Sequence, residues 1–183
     1  MSTSPPLARP GRPRSAATDR AILDAARALL AERGYSDLTI EGVAQRAGVA
    51  KTTVYRRWPA KADLVVDAVV DTLRPVLEAA DDADPLALLR TLADTLGRPE
   101  SRAAFLALMA EAVTDPLVRT AVDRRLVEPS RAVVRRCAEK QGSELDDDLL
   151  FDVVAGAVVH RVLVRGEAAD DRFLAGLLDL VRP

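Results

Sequence analysis

The stretch Thr39-Ile40-Glu41-Gly42-Val43-Ala44-Gln45-Arg46-Ala47-Gly48-Val49-Ala50-Lys51-Thr52-Thr53-Val54-Tyr55-Arg56-Arg57-Trp58 decides the fold. Thr39 is of the residue type that caps a helix N-terminus, and a short helix over Ile40 to Arg46 follows it. Ala47-Gly48-Val49 reads as a tight turn, in which Gly48 permits a positive φ. A second helix is expected from about Lys51 to Arg57, and Pro59 ends it, because proline disfavours helix at the residue before it. Ile40, Val43 and Ala44 then face inward from the first helix, while Val49 and Val54 plug the angle between the two. Lys51, Thr52, Thr53, Tyr55, Arg56 and Arg57 are left on the outer face of the second helix. This is the physical pattern of a helix-turn-helix. Such a helix fits the major groove of duplex DNA, where donors and acceptors distinguish the base pairs.

Upstream, residues 1–15 are rich in Pro, Ser and Arg without apolar periodicity, and read as a disordered arm. Thr18 or Asp19 can cap a first helix whose Ile22, Ala26, Leu29 and Leu30 share one face. Gly34 stops that helix. Downstream, a helix starting near Lys61 carries the stripe Leu64, Val65, Ala68, Val69, Leu73, Val76 and Leu77, with Pro75 expected to kink it or mark its last turn. Asp84-Pro85, Arg98-Pro99 and Asp115-Pro116 open three further helices, with proline at the first helical position, where its missing N–H costs nothing. The first of these ends at Gly97; the third is interrupted or kinked at Pro129 and ends at Gly142. A long helix over Leu145 to Arg165, ending at Gly166, and a last one over Asp170 to Val181 complete an all-α chain of about nine helices. The expected division is a basic arm at 1–15, a three-helix DNA-binding unit at 16–62 and a helical regulatory and dimerisation unit at 63–183.

Hydrophobic residues make up 49% of the 183 positions and aromatics only 3%, so the core must be built of Leu, Val and Ala. The net charge of −2 conceals an asymmetry: residues 1–61 hold 11 Lys+Arg against 5 Asp+Glu, the remainder 15 against 23. A basic head on an acidic body suits a polyanion partner for the head alone. The single cysteine, Cys137, excludes an internal disulfide and fits a reducing compartment. Residues 1–15 lack the apolar segment of a secretory signal, and the apolar run at Leu149 to Val164 is too short and too charged to cross a membrane. A cytoplasmic protein with no membrane partner is expected.

The helix-turn-helix, the preceding Glu32-Arg33-Gly34-Tyr35, the following Pro59-Ala60-Lys61-Ala62-Asp63-Leu64 and the arm Gly11-Arg12-Pro13-Arg14 together resemble the DNA-binding domain of the TetR family, over about residues 12–70. The C-terminal part resembles one subgroup of that family, with a break at Gly142, an Asp-rich start to the penultimate helix, and Gly156, Arg161 and Gly166 within or after it. In two places the chain departs from the family pattern. Ala50 stands where many relatives carry a Ser that caps the recognition helix, and Trp58 stands where Phe is usual, as a core residue between the third and fourth helices.

From residue type and position, Thr39 and Lys61 are expected to clamp phosphates, each at a helix start where free N–H groups also favour an anion. Lys51, Tyr55 and Arg57 are expected to mix phosphate and base contacts. Thr52, Thr53 and Arg56 are the candidates for base reading, and Arg12 and Arg14 for an adjacent minor groove. A lone helix-turn-helix reads few bases, so a homodimer on a palindromic duplex operator is expected. The penultimate helix is apolar nearly all round, so one side can face its own core and the other a partner. Leu150, Val154, Val158, Val162, Phe173, Leu174, Leu177 and Leu178 are the candidate dimer contacts. The resemblance implies a small-molecule effector of unknown identity in the C-terminal part, with Val69, Phe105, Leu108, Met109, Val133, Cys137 and His160 as candidate pocket residues, and it favours repression. An activator, or a regulator without a ligand, is the open alternative. With one His, one Cys, no metal-ligand cluster and no Gly-rich phosphate loop, no catalytic site, metal or cofactor is expected.

Overall fold

The computed structural model of the chain describes residues 16–78, 84–141 and 145–181. Arg12 and Arg14, the whole of the arm and the break at Gly142 lie outside the described residues. Among the described residues there are helices and turns and no strand.

Helix α1 spans Ala16–Asp37, with a break at Gly34, whose φ of 76° only glycine adopts without strain. Helix α2 spans Ile40–Arg46 and α3 Lys51–Tyr55. The Thr39 side chain accepts a hydrogen bond from the Gly42 N–H at 3.1 Å and so caps α2. Ala50, in the equivalent place before α3, offers no side-chain acceptor. Gly48, at φ 66°, turns the chain between them.

Helix α4, Lys61–Glu78, is the central strut. Leu64, Val65 and Val66 are consecutive and all fully buried, so this helix is covered on more than one side. It packs against α1 in front and against the C-terminal helices behind. It continues through Pro75 into its last turn. The expected boundary at residue 62 therefore falls in the first turn of a helix that both halves share, and the main buried cluster runs unbroken from Ile22 to Leu177.

Helices α5 (Pro85–Gly97) and α6 (Pro99–Thr114) start at proline as expected, α5 capped by the Asp84 carboxylate. Helix α7 is one rod of three parts: an α segment Pro116–Val122 capped by Asp115, a π segment Asp123–Val127 and an α segment Glu128–Gln141. The π segment is where the interruption expected at Pro129 is accommodated. Proline has no N–H to give the carbonyl four residues back and its ring crowds that carbonyl, and the preceding turn widens, the Glu128 N–H donating to the Asp123 carbonyl. Helix α8 runs as Asp147–Val159 and a π segment His160–Val164, and α9 is Asp171–Leu180. Asp146 and Asp170 cap these two, which accounts for acidic residues that would otherwise resemble a site.

The capping difference between α2 and α3 is testable by urea unfolding. Thr39→Ala should cost about 1 kcal/mol, and Ala50→Ser should raise stability by about as much. No change in either variant would contradict the assignment of these two positions as N-caps.

Candidate functional site

The helix-turn-helix is held by its own apolar angle. Val43 and Val54 are completely buried, and Val49 packs beside them. Arg46 and Glu32 form a paired ion bridge at 2.6–2.7 Å that ties α2 to α1. On the outside of α3, Lys51, Thr52, Tyr55 and Arg56 are exposed and Thr53 is half-buried. The Lys51 ammonium is paired with the Glu41 carboxylate and lies 5.4 Å from the centre of the Tyr55 ring. Exposed Tyr55, a large ring left in solvent at 44% exposure, is the type of side chain that stacks on or hydrogen-bonds a nucleic acid.

Two expected DNA contacts are placed elsewhere. Arg57 is not on the outer face. Its side chain is only 9% exposed and pairs with Asp19 in the first turn of α1. The reason is that α3 ends at Tyr55, so Arg57 lies past the helix and its direction no longer follows the helical wheel. Lys61 reaches back across the molecule: its ammonium donates to the carbonyls of Tyr35 at 2.9 Å and Leu38 at 3.2 Å and stands 4.1 Å from the Tyr35 ring centre. Of the three donors of an ammonium, two are thus committed to carbonyls near the Gly34 break. Thr39 is exposed, and its oxygen serves the cap.

Behind α3 lies a network that sequence reasoning missed. Buried Trp58 donates its indole N–H to Asp67 Oδ2 at 2.7 Å. The other oxygen, Oδ1, accepts from Arg125 Nη1 at 2.7 Å. Arg125 also pairs with Asp63 at 2.9 Å, and Arg124 with Asp63 at 3.3 Å. Asp63 and Asp67 are one turn apart on α4; Arg125 sits in the π segment of α7. The carboxylate spacing was visible in the sequence, but the arginine is 58 positions away.

The same π segment forms part of the wall of a cavity of about 470 Å³ that is lined by α4 to α9 and open to solvent on one side. Phe105, Met109, Val133 and Cys137 line it as expected. Val69 and Leu108 are packed in the core instead, and His160 is on the surface. Burial pushes the Cys137 thiol above its ordinary range, against the opposing pull of Lys140 and Arg136.

The dimer contacts need correction. Leu150, Val154 and Leu178 line this cavity, while Val158, Val162, Leu174 and Leu177 are buried in the chain's own core. Phe173 is half-buried beneath the Arg161 guanidinium, 4.5 Å from its ring centre. The outward stripe of α8 is Leu149, Val153, His160 and Val164, with Leu149 54% and Val164 65% exposed, and the exposed Gly156 between them also borders the cavity.

Asp67→Asn should weaken the bond to Arg125. Urea unfolding is expected to show a loss of about 1–3 kcal/mol, with a red shift of the emission of Trp58, the only tryptophan. Unchanged stability and spectrum would contradict the network. A second test is alkaline. The Tyr35 phenol is pushed up to about 12 from an ordinary 10.0, by burial and then by Asp115 and Glu111. The unfolded chain loses its proton first, so stability is fully present below pH 10.0 and is lost as pH rises towards about 12. Tyr35→Phe should flatten that part of the stability–pH curve.

Comparison with known proteins agrees with this architecture. Residues 22–68 match the model of bacterial regulatory proteins of the tetR family, and residues 80–181 match that of the tetracyclin repressor-like C-terminal domain. The chain is 29% identical to the HTH-type transcriptional regulator YdeS of Bacillus subtilis (strain 168), over 92% of this chain and 89% of that protein. It is 31% identical to the DNA-binding transcriptional repressor TetR of Mycobacteroides abscessus, over 94% and 96%. The crystal structure of the TetR family transcription regulator SCO0332 superposes with a TM-score of 0.60 at 33% identity, covering 91% of this chain and 99% of that one. The chain therefore belongs to the tetR family of bacterial regulatory proteins and is a non-enzymatic, DNA-binding transcriptional regulator.

Proposed function

We propose that the protein is a cytosolic homodimeric repressor that holds a short palindromic operator and is released from it when a small molecule enters the cavity. The observation that carries this reading is the course of α4. Its C-terminal turns place Leu73, Val76 and Leu77 in the cavity wall, and Asp67, near its middle, holds Trp58 immediately behind α3. A ligand that prefers one position of this helix shifts the population of reading heads. Thr52, Thr53 and Arg56 read bases. Thr39, Lys51, Tyr55 and the remaining donor of Lys61 hold phosphates, with Arg12 and Arg14 of the arm in the neighbouring minor groove. Arg57 acts indirectly, by fixing the end of α3 to α1. The second copy packs on the outward stripe of α8, from Leu149 to Val164, and sets the spacing of the two α3 helices.

The test is selection of sites from a random duplex library, followed by titration of the enriched site at several salt concentrations. A palindrome with half-sites about one helical turn or a multiple of it apart is expected. Affinity should fall linearly on a log–log plot against salt. Arg56→Ala should cost about 1–3 kcal/mol at the half-site position it reads and relax preference there, whereas Lys51→Ala should weaken all sequences alike and reduce the salt slope by about 1. Equal affinity for selected and random DNA would overturn the reading.

A further inference from the structure

We infer that the cavity takes an uncharged lipophile carrying one or a few hydrogen-bonding groups, and rejects anions and quaternary ammonium ions of the same skeleton. This rests on the ligand-release reading above and names the chemistry of its effector.

The cavity, about 470 Å³, falls within the usual size of small-molecule sites, roughly 300–1,000 Å³. Its wall is leucine, valine, alanine, methionine and phenylalanine almost throughout; Ser130, Cys137 and Asp152 are the only polar side chains among the described residues that line it. No described lysine, arginine or histidine reaches it. A carboxylate or phosphate entering this space would exchange its hydration for aliphatic contacts, and the one formal charge among the described residues of the wall, Asp152, has the same sign. Arg131, on α7, is not part of the wall. It pairs with Asp148 at 3.2 Å and Glu128 at 3.7 Å and stands 5.5 Å from the centre of the Phe151 ring. Arg136 and Lys140, whose charges Cys137 feels, do not line it either.

A quaternary ammonium fares little better. Asp152 lies on the exposed face of α8, beside the stripe proposed for the second copy, so it stands at the rim of the cavity and not among the aliphatic side chains of its interior. Recognition of such a cation also needs several aromatic faces. Phe105 and Phe151 are the only aromatic side chains among the described residues of the wall, and the Arg131 guanidinium already occupies the neighbourhood of one. What the wall does offer is neutral and paired. Ser130 and Cys137 stand two turns apart on α7 and both face the cavity, so a hydroxyl and a weakly acidic thiol can meet one polar group of a ligand that is otherwise apolar.

The experiment uses the full chain and three probes of one skeleton: octanol, octanoate and octyltrimethylammonium. Occupancy is read in two ways. One is displacement of N-phenyl-1-naphthylamine, an uncharged dye whose emission rises in apolar surroundings. The other is protection of Cys137, the only thiol of the chain, from N-ethylmaleimide. Octanol is expected to displace the dye and protect Cys137 at concentrations at least about tenfold lower than either charged probe. Val133→Phe and, separately, Ala138→Leu should abolish dye binding while cooperative urea unfolding and the buried emission of Trp58 are kept, which separates a filled cavity from an unfolded chain. Octanoate or octyltrimethylammonium acting as well as octanol would overturn the inference. So would failure of the dye to bind at all, the outcome expected if a segment of the chain or a second copy fills the space. Operator titration in parallel separates the two readings: octanol that binds without releasing DNA defeats ligand release and leaves the ligand class standing, whereas release by octanoate alone defeats the class and leaves ligand release standing.

Discussion

The Asp67 carboxylate is the point on which the two ends of the molecule meet. One oxygen receives the Trp58 indole and the other the Arg125 guanidinium, both at 2.7 Å. Taking a carboxylate partly out of water is costly unless its oxygens are paired, and removing either partner would leave an uncompensated polar group behind α3. Most other contacts between the head and the body are aliphatic. Such contacts have strength but little direction, and they tolerate small sliding. A charge-assisted hydrogen bond does not. The relative position of α3, α4 and the π segment of α7 is therefore set less by the bulk of the core than by one side chain.

The rest of the head is fixed in the same spirit, by polar ties at the places where helices end. Gly34 breaks α1 and leaves carbonyls facing the turn, and Lys61 answers two of the carbonyls in that turn from the start of α4. Arg57 ties the end of α3 to the start of α1. Arg46 and Glu32 tie α2 to α1. Each tie spans different helices, so the helix-turn-helix is carried as one body on α4. That α4 is buried nearly all round explains why it can be common to both halves: its valines and leucines are core for the head on one side and wall for the cavity on the other.

The local signals of the sequence were enough to find the helices and the reading motif. Thr39, Gly48 and Pro59 act over three or four residues, and each Asp-Pro or Arg-Pro pair marks a helix start that needs nothing from the rest of the chain. What the sequence leaves open is whatever local pattern does not determine. The two carbonyl ties of Lys61 are not legible from its place at a helix start, because their acceptors lie 26 and 23 positions upstream. A helical wheel extended beyond Tyr55 puts Arg57 on the outer face, but α3 has ended there. On α8 the apolar residues cover the whole circumference, so periodicity could announce two buried sides without saying which is which. Leu150 and Val154 went to the cavity, and Leu149 and Val153 were left outside. His160 is a pocket candidate by its type alone, a lone histidine in an apolar run, and in the structure it is exposed on the outward stripe.

An aliphatic cavity and a directional hub suit each other physically. Leucine, valine and methionine walls can repack around molecules of differing outline with little loss, so the cavity by itself cannot hold two sharply distinct shapes. The hub can, because the pairing of Arg125 with Asp67 is either made or lost. The π segment belongs to both: Leu126 and Val127 are in the wall, and Arg125 is on Asp67. A ligand can move this equilibrium only by the difference between its affinities for the two positions of that segment. The leverage comes from how many wall atoms beside Leu126 and Val127 it touches, and not from how tightly it binds elsewhere. On the ligand-release proposal, a molecule confined to the α5 side of the cavity, however snug, would be a poor inducer.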